Sequence, residues 1–319
     1  PSSVSPGLPA WVDQVVSRAT AKNPADRYGS MAELMAAVPI STAGTTDPGR
    51  GVARSTVIGD LVNPFKALRA FREADSADFY GRQRLVARFV EVLSRPGSAG
   101  RLLAVVGPSG SGKSSAVRSG LLPRLRTGAV PGSRDWFITT MVPGTHPFDE
   151  LESALSRVAV RQPGALVEMM RSDDRGIARA INLILPDEDS ELVLLVDQFE
   201  ELFTHSADTE RTRFLDGLLT AVRDTRARLR VVVTIRADFL DRPLRHPGLA
   251  ARLETATVTV SPLAANELEA AIVEPVRRQG AAYEPGLVAR IMADVGDQPG
   301  ALPLLQYALT ELFDAHVSG

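Results

Sequence analysis

Gly107-Pro108-Ser109-Gly110-Ser111-Gly112-Lys113-Ser114 stands between an apolar run, Leu102-Leu103-Ala104-Val105-Val106, and a helix start, Ser115-Ala116-Val117-Arg118. A strand, a glycine-rich turn and a helix start, in that order, make a phosphate-cradling P-loop. The glycines let backbone N–H groups turn inward around a pyrophosphate, and the helix N-terminus adds partial positive charge. Lys113 reaches the outer phosphates and the Ser114 hydroxyl is placed for Mg²⁺. Gly107, Pro108, Ser109, Gly110, Ser111, Gly112, Lys113, Ser114 and Ser115 are therefore candidate nucleotide contacts. The chain has three lysines, Lys22, Lys66 and Lys113, against 33 arginines, so a lysine where the motif demands one is informative.

Two more apolar runs end in polar groups, as central parallel strands do at a ligand edge. Glu191-Leu192-Val193-Leu194-Leu195-Val196-Asp197 puts Asp197 opposite Ser114 as a second magnesium contact, through water. Arg230-Val231-Val232-Val233-Thr234-Ile235-Arg236 ends in Thr234, which can sense a γ-phosphate, and Arg236. That arginine could stabilise phosphate charge or serve in a scaffold salt bridge. Glu200 and Glu201 could polarise a water for attack on the γ-phosphate; the other reading is an acidic helix start favoured by the helix dipole. Gln198, directly after Asp197, can orient water but cannot take its proton, so slow hydrolysis is expected.

Residues 136–142 and 255–260 read as further strands, and helices are expected over roughly 146–159 and 164–185. Strands alternating with helices predict a three-layer α/β/α parallel sheet. From Leu263 onward the pattern is helical only, over 265–279, 285–295 and 301–317, which predicts an all-helical lid with Pro303 tolerated in the first turn of its last helix. Ahead of the P-loop, the turn Phe79-Tyr80-Gly81-Arg82 opens a helix with Leu85, Val86, Phe89, Val90 and Leu93 on one side; its aromatic and backbone groups could hold an adenine or cap the sheet edge. Residues 8–38 read as a helical hairpin broken at Asn23-Pro24, and 41–60, rich in Ser, Thr, Gly and Pro, as a linker. The expected domains are a hairpin at 1–40, a linker at 41–62, a nucleotide-binding core at 63–262 and a lid at 263–319.

At 319 residues and 44% hydrophobic, the chain can bury a large core. Having no cysteine excludes disulfides, thiolate metal sites and cysteine nucleophiles. A net charge of −2 gives no global reason to bind nucleic acid. The apolar runs are strand-sized, so no membrane span is expected; the Pro1 start reads as an excised fragment, and an ATP site argues for the cytoplasm. The four histidines, His146, His205, His246 and His316, lack metal-ligand spacing.

Asn63-Pro64-Phe65, Phe71-Arg72-Glu73-Ala74-Asp75, Phe79-Tyr80-Gly81-Arg82, the P-loop, Asp197-Gln198-Phe199-Glu200-Glu201-Leu202-Phe203, Thr234-Ile235-Arg236-Ala237-Asp238-Phe239 and Gly300-Ala301-Leu302-Pro303-Leu304-Leu305 together carry a family resemblance. From about Asn63 to the end, the chain resembles the bacterial STAND-class P-loop NTPases, in particular the novel STAND NTPase group. The resemblance implies ATP and ADP as ligands with Mg²⁺, an ADP-bound closed state, and an ATP-bound open state able to self-associate. It also implies output, such as signal transduction or transcription regulation, through attached effector or repeat domains. It further implies that Tyr80, Gly81, Arg82 and Pro303 flank the adenine and that Arg236 is a first sensor. Winged-helix and sensor modules of several related groups are missing from the pattern. Separately, Leu8-Pro9, Val15 to Tyr28 and Met31-Ala32-Glu33-Leu34 resemble the last helices of a bacterial Ser/Thr kinase large lobe, without a catalytic loop or Asp-Phe-Gly. The expectation is an ATP/ADP-dependent regulatory switch with slow hydrolysis, in which Lys113, Glu200, Glu201 and Arg236 carry the chemistry. The alternative is a non-hydrolysing nucleotide-binding scaffold for protein interaction.

Overall fold

The computed structural model describes residue 18 and residues 61–160, 164–295 and 300–317. The chain divides into two compact units, Pro1–Ile58 and Gly59–Gly319. The expected hairpin, its kinase-like wording and the linker up to residue 60 lie outside the described residues apart from Arg18.

Five strands form the sheet of the second unit: β1 Leu102–Gly107, β2 Phe137–Met141, β3 Leu192–Val196, β4 Leu229–Arg236 and β5 Thr257–Thr259. Their order is β2-β3-β4-β1-β5, and every pairing is parallel. β1 and β3 are buried at every position, which is why they read as unbroken apolar runs rather than as alternating ones. Odd and even residues feed different cores. Leu102, Ala104, Val106, Leu194 and Val196 belong to one apolar cluster, whereas Leu103, Val105, Val193 and Leu195 belong to another.

Two helices cover the second of these faces. They are α1, Gln83–Leu93, and α2, residues 113–126, which runs as Lys113–Ser115, a π-type turn Ala116–Leu121, and Leu122–Arg126. The first face is covered by α3 Pro147–Ser156, α4 Leu166–Ser172, α5 Gly176–Ile184, α6 Asp208–Arg223 and α7 Pro247–Ala256. The result is the expected three-layer α/β/α sandwich.

One long helix expected over 164–185 is in fact two, α4 and α5. Asp173 accepts a hydrogen bond from the Arg175 N–H at 2.8 Å, a turn geometry that competes with the helical ladder. Gly176 then passes so close to the preceding helix end that a Cβ there would lie 2.2 Å from the Met169 carbonyl oxygen. The last expected strand is also shorter at its start, because α7 runs on to Ala256.

The lid comprises α8 Ala265–Arg278, α9 Leu287–Val295 and α10 Ala301–Val317. It has its own apolar cluster, in which Leu268, Ile272, Val276, Leu305, Leu309 and Phe313 surround Phe65. The segment from Asn63 is thus built into the lid. Asn63 Nδ2 donates to the Thr310 carbonyl at 3.0 Å, the Lys66 N–H to Gln306 Oε1 at 3.3 Å, and the Ala67 N–H to Thr310 Oγ1 at 3.0 Å. At the far end of that segment, Arg278 of α8 pairs with Asp78 at 2.7 Å.

Candidate nucleotide site

The sheet order places the C-terminal ends of β3, β4 and β1 side by side. Gly107 is level with Arg236, and Val196 with Val233, so Asp197 comes next to Thr234 and one strand away from the P-loop. In the loop Gly110 and Gly112 take φ of +72° and +85°, a region that favours glycine. The lid sits directly on this loop. A Cβ on Gly110 would lie 3.1 Å from Gly300 Cα and 3.4 Å from Pro303 Cδ.

Between loop and lid is a cavity of about 240 Å³. Its walls come from three places: the Ala67–Phe71 segment with Tyr80, the P-loop with Lys113, and the lid through Leu263, Ala271 and Pro303. Among the expected contacts, Tyr80, Arg82, Gly110, Gly112, Lys113, Ser114, Ser115 and Pro303 line it; Gly81, Gly107, Pro108, Ser109 and Ser111 do not. A larger cavity of about 640 Å³ lies beside Phe203, Arg211, Phe239 and Arg242, but no P-loop residue lines it.

Lys113 is buried, and its Nζ donates to the carbonyls of Gly107 at 2.9 Å and Pro108 at 2.8 Å. An ammonium has three N–H groups, so one remains for a phosphate. Burial pushes the Lys113 pKa down, and the Glu200 carboxylate is the first influence opposing that shift. Asp197 is buried with both oxygens engaged. Oδ1 accepts from Ser114 Oγ at 2.8 Å and from Thr234 Oγ1 at 2.6 Å, and Oδ2 accepts from Arg118 Nη2 at 2.8 Å. Ser111 Oγ is buried in the loop with no partner. An orphaned hydroxyl, a spare ammonium N–H and a hard-oxygen pair, Ser114 with Asp197, fit a magnesium–nucleotide. Asp197 and Ser114 would hold the metal.

Arg82 lines the cavity, but its guanidinium donates to the Ser261 carbonyl at 2.8 Å and the Ser111 carbonyl at 3.1 Å, tying the P-loop to the entry of the lid. Burial lowers its pKa, partly offset by Glu267. Gln198 has an exposed side chain and a φ of +53°, and its N–H bonds to Thr234 Oγ1 at 3.0 Å. The chain turns so sharply after Asp197 that this side chain is directed to solvent.

The two glutamates also separate. Glu200 is buried and accepts from the Arg236 N–H at 3.2 Å. Glu201 instead faces His205 one helical turn on, at 3.6 Å, and is not among the charges that influence Lys113. The Arg236 guanidinium forms a salt bridge with Asp238 at 2.7 Å and lies over the Phe239 ring. Arg118 and Thr234 are the functional candidates that motif reading underused, although Arg118 stands four residues after Ser114 on the same helix face.

The cavity wall at Ala67–Phe71 is braced by Asp75. Its carboxylate binds Arg69 at 2.6 and 3.0 Å and the Arg72 N–H at 2.7 Å. The Arg69 guanidinium, first among several causes, holds the Asp75 pKa well below the usual carboxylate range. Since the folded state binds this proton less readily than the unfolded chain, the stability the bracing contributes is fully present above the unfolded value of about 3.9 and declines below it until pH has fallen through the still lower folded value. Thermal melts from pH 6 to pH 3 should show an acid limb that Asp75→Asn flattens. Parallel curves for the two proteins would remove this role.

With this geometry in place, a family model, that of novel STAND NTPase 1, matches residues 64–319. The chain belongs to the novel STAND NTPase 1 family. Membership implies that this STAND NTPase binds a nucleotide. No curated protein sequence matches it. Among solved structures, a Walker-type ATPase of Pyrococcus abyssi is similar with a TM-score of 0.51 and 15% identity, over 78% of this chain and 71% of that one. A chain of the Drosophila ORC bound to DNA is similar with a TM-score of 0.50 and 17% identity, over 85% of this chain and 66% of that one, just under two thirds of its length. At such identities the likeness concerns the fold alone. Among the described residues no helix is long and apolar enough to cross a membrane, and no group of three or more His, Cys, Asp or Glu could hold a metal ion.

Proposed function

We propose that this STAND NTPase is a nucleotide-operated regulatory switch, closed around ADP and opened by ATP, with slow Mg²⁺-dependent hydrolysis. The observation that carries the reading is the seating of the Gly300–Pro303 turn on Gly110. Any nucleotide in the cavity touches the phosphate loop and the lid at once, so a change at its outer phosphate bears on the lid's position. Lys113 and the P-loop N–H groups bind the phosphates, Tyr80 and Pro303 border the base, and Glu200 positions the attacking water. Magnesium, when bound, supplies positive charge to the outer phosphates. Self-association in the ATP state, attached effector or repeat domains as the output, and a cytoplasmic setting belong to the same reading. So does the division into a core at 63–262 and a lid at 263–319.

Hydrogen exchange across Ala301–Gln306, with ATP against ADP, tests the switch directly. Different protection is expected, and identical protection would sink it. Turnover addresses the second reading, a non-hydrolysing scaffold, which the exposed Gln198 favours. Single-turnover phosphate release should fall about 100-fold or more in Glu200→Gln while ATP binding persists, the usual scale for losing a general base. Tight binding by wild type with no release at all would favour the scaffold.

A further inference from the structure

Asp197 is 4% exposed, and Arg118 is a cation that bonds it directly. Ser114 and Thr234 bring hydroxyl dipoles to Oδ1; Arg118 Nη2 brings a full positive charge to Oδ2 at 2.8 Å. A buried carboxylate stripped of its counter-charge is strongly disfavoured, so a cation in contact with Asp197 is stabilising. Arg118 is only partly committed to that place. Its Nε is buried without a partner, and 31% of its side chain remains exposed, leaving a path to solvent. Its backbone belongs to the π-type turn Ala116–Leu121, a departure from the α-helical ladder that recurs at functional sites. The same turn holds Ser119, whose Oγ donates to the Arg72 carbonyl in the segment leading from the cavity wall.

A divalent ion needs hard oxygen ligands, and Ser114 with Asp197 is the pair that this chain offers beside its P-loop. A guanidinium on Oδ2 and a magnesium ion on the Ser114 side of the same carboxylate would be two like charges sharing one buried anion. We propose that Arg118 is a tethered cation that competes with magnesium for Asp197, so that this arginine sets how strongly nucleotide binding depends on metal. This rests on the assignment of Ser114 and Asp197 to the metal. Arg118 therefore stabilises Asp197 while metal is absent and weakens metal binding. Loading a magnesium–nucleotide displaces it, and the displacement reaches Arg72 through the shared turn.

The test compares wild type, Arg118→Gln and Arg118→Lys by calorimetric titration with ADP at magnesium concentrations from chelated to millimolar, together with melting curves with and without Mg²⁺ in the absence of nucleotide. In Arg118→Gln the magnesium concentration for half-maximal enhancement of ADP binding should fall about tenfold, within the usual range of coupling between sites, and Arg118→Lys should return it toward wild type. Arg118→Gln should also melt lower than wild type in chelator and recover on adding Mg²⁺. Unchanged or weaker magnesium dependence in Arg118→Gln, or a melting deficit that saturating Mg²⁺ fails to restore, would overturn the inference. A wild type whose ADP affinity ignores Mg²⁺ would overturn the metal assignment itself, and the inference with it.

Discussion

Lys113→Ala should bind both ATP and ADP about 100-fold more weakly than wild type. Hydrogen bonds from a charged donor are worth about 1.5–3 kcal/mol each, and each 1.4 kcal/mol is tenfold in affinity, so losing the one phosphate contact of Lys113 costs about 10- to 100-fold. Three features of the site push the effect to the high side. The ammonium is already out of water, and the Gly107 and Pro108 carbonyls hold it at 2.9 and 2.8 Å, so little reorganisation is needed when phosphate arrives. Burial already lowers its pKa despite the nearby Glu200 carboxylate, so an arriving phosphate charge is favoured beside it. Among the described residues no other lysine can take over, since Lys66 is bound to Asp78 at 3.2 Å and Asp75 at 3.5 Å. Calorimetry with each nucleotide decides the matter, with a melting curve to confirm that the variant folds. Equal affinities in variant and wild type would mean that the cavity does not receive phosphate at the P-loop.

The P-loop was legible in the sequence because its determinants are local: a strand, two glycines at positive φ, one lysine and a helix start occupy consecutive residues. Asp197 was legible for a similar reason, as the acid that ends a run buried on both faces. What escaped were pairings across long stretches of chain. Nothing near Phe65 announces that it is surrounded by side chains of α8 and α10, or that the Lys66 N–H meets Gln306, 240 positions on. That the Arg82 guanidinium reaches the carbonyls of Ser261 and Ser111 was likewise invisible in the sequence, since Ser261 lies 179 positions on. Glu200 and Glu201 were equivalent by pattern, and only the tight turn at Gln198 decides which of them is buried beside β4. Arg118 was hidden by composition, as one arginine among 33, although its spacing from Ser114 could have singled it out.

Phe65→Ala should cost about 3–5 kcal/mol of lid stability, the usual range for removing a buried phenyl ring, and should weaken nucleotide binding although Phe65 does not line the cavity. The ring is 4% exposed and meets Phe313 edge-on at 6.5 Å between centroids. Its other neighbours in the cluster include Leu268 and Ile272 of α8 and Leu305 and Leu309 of α10. The two helices therefore share one anchor, and α10 carries Pro303 above the P-loop. With the ring gone, the hydrogen bonds from Lys66 and Ala67 to α10 lose the packing that aligns them, and the lid opens on its own at lower temperature than the sheet. Calorimetric melting should then separate into a low lid transition and a largely unchanged core transition, and saturating ADP should raise the first more than the second, because ligand stabilises the state that binds it. If Phe65→Ala split the melt in this way yet bound ADP as tightly as wild type, the lid would be a passive cover, and the coupling between the Gly300–Pro303 turn and the phosphates would have to be abandoned. A variant with a single melt and weakened binding would place Phe65 in one cooperative unit with the sheet, so that the lid and the core respond to nucleotide together.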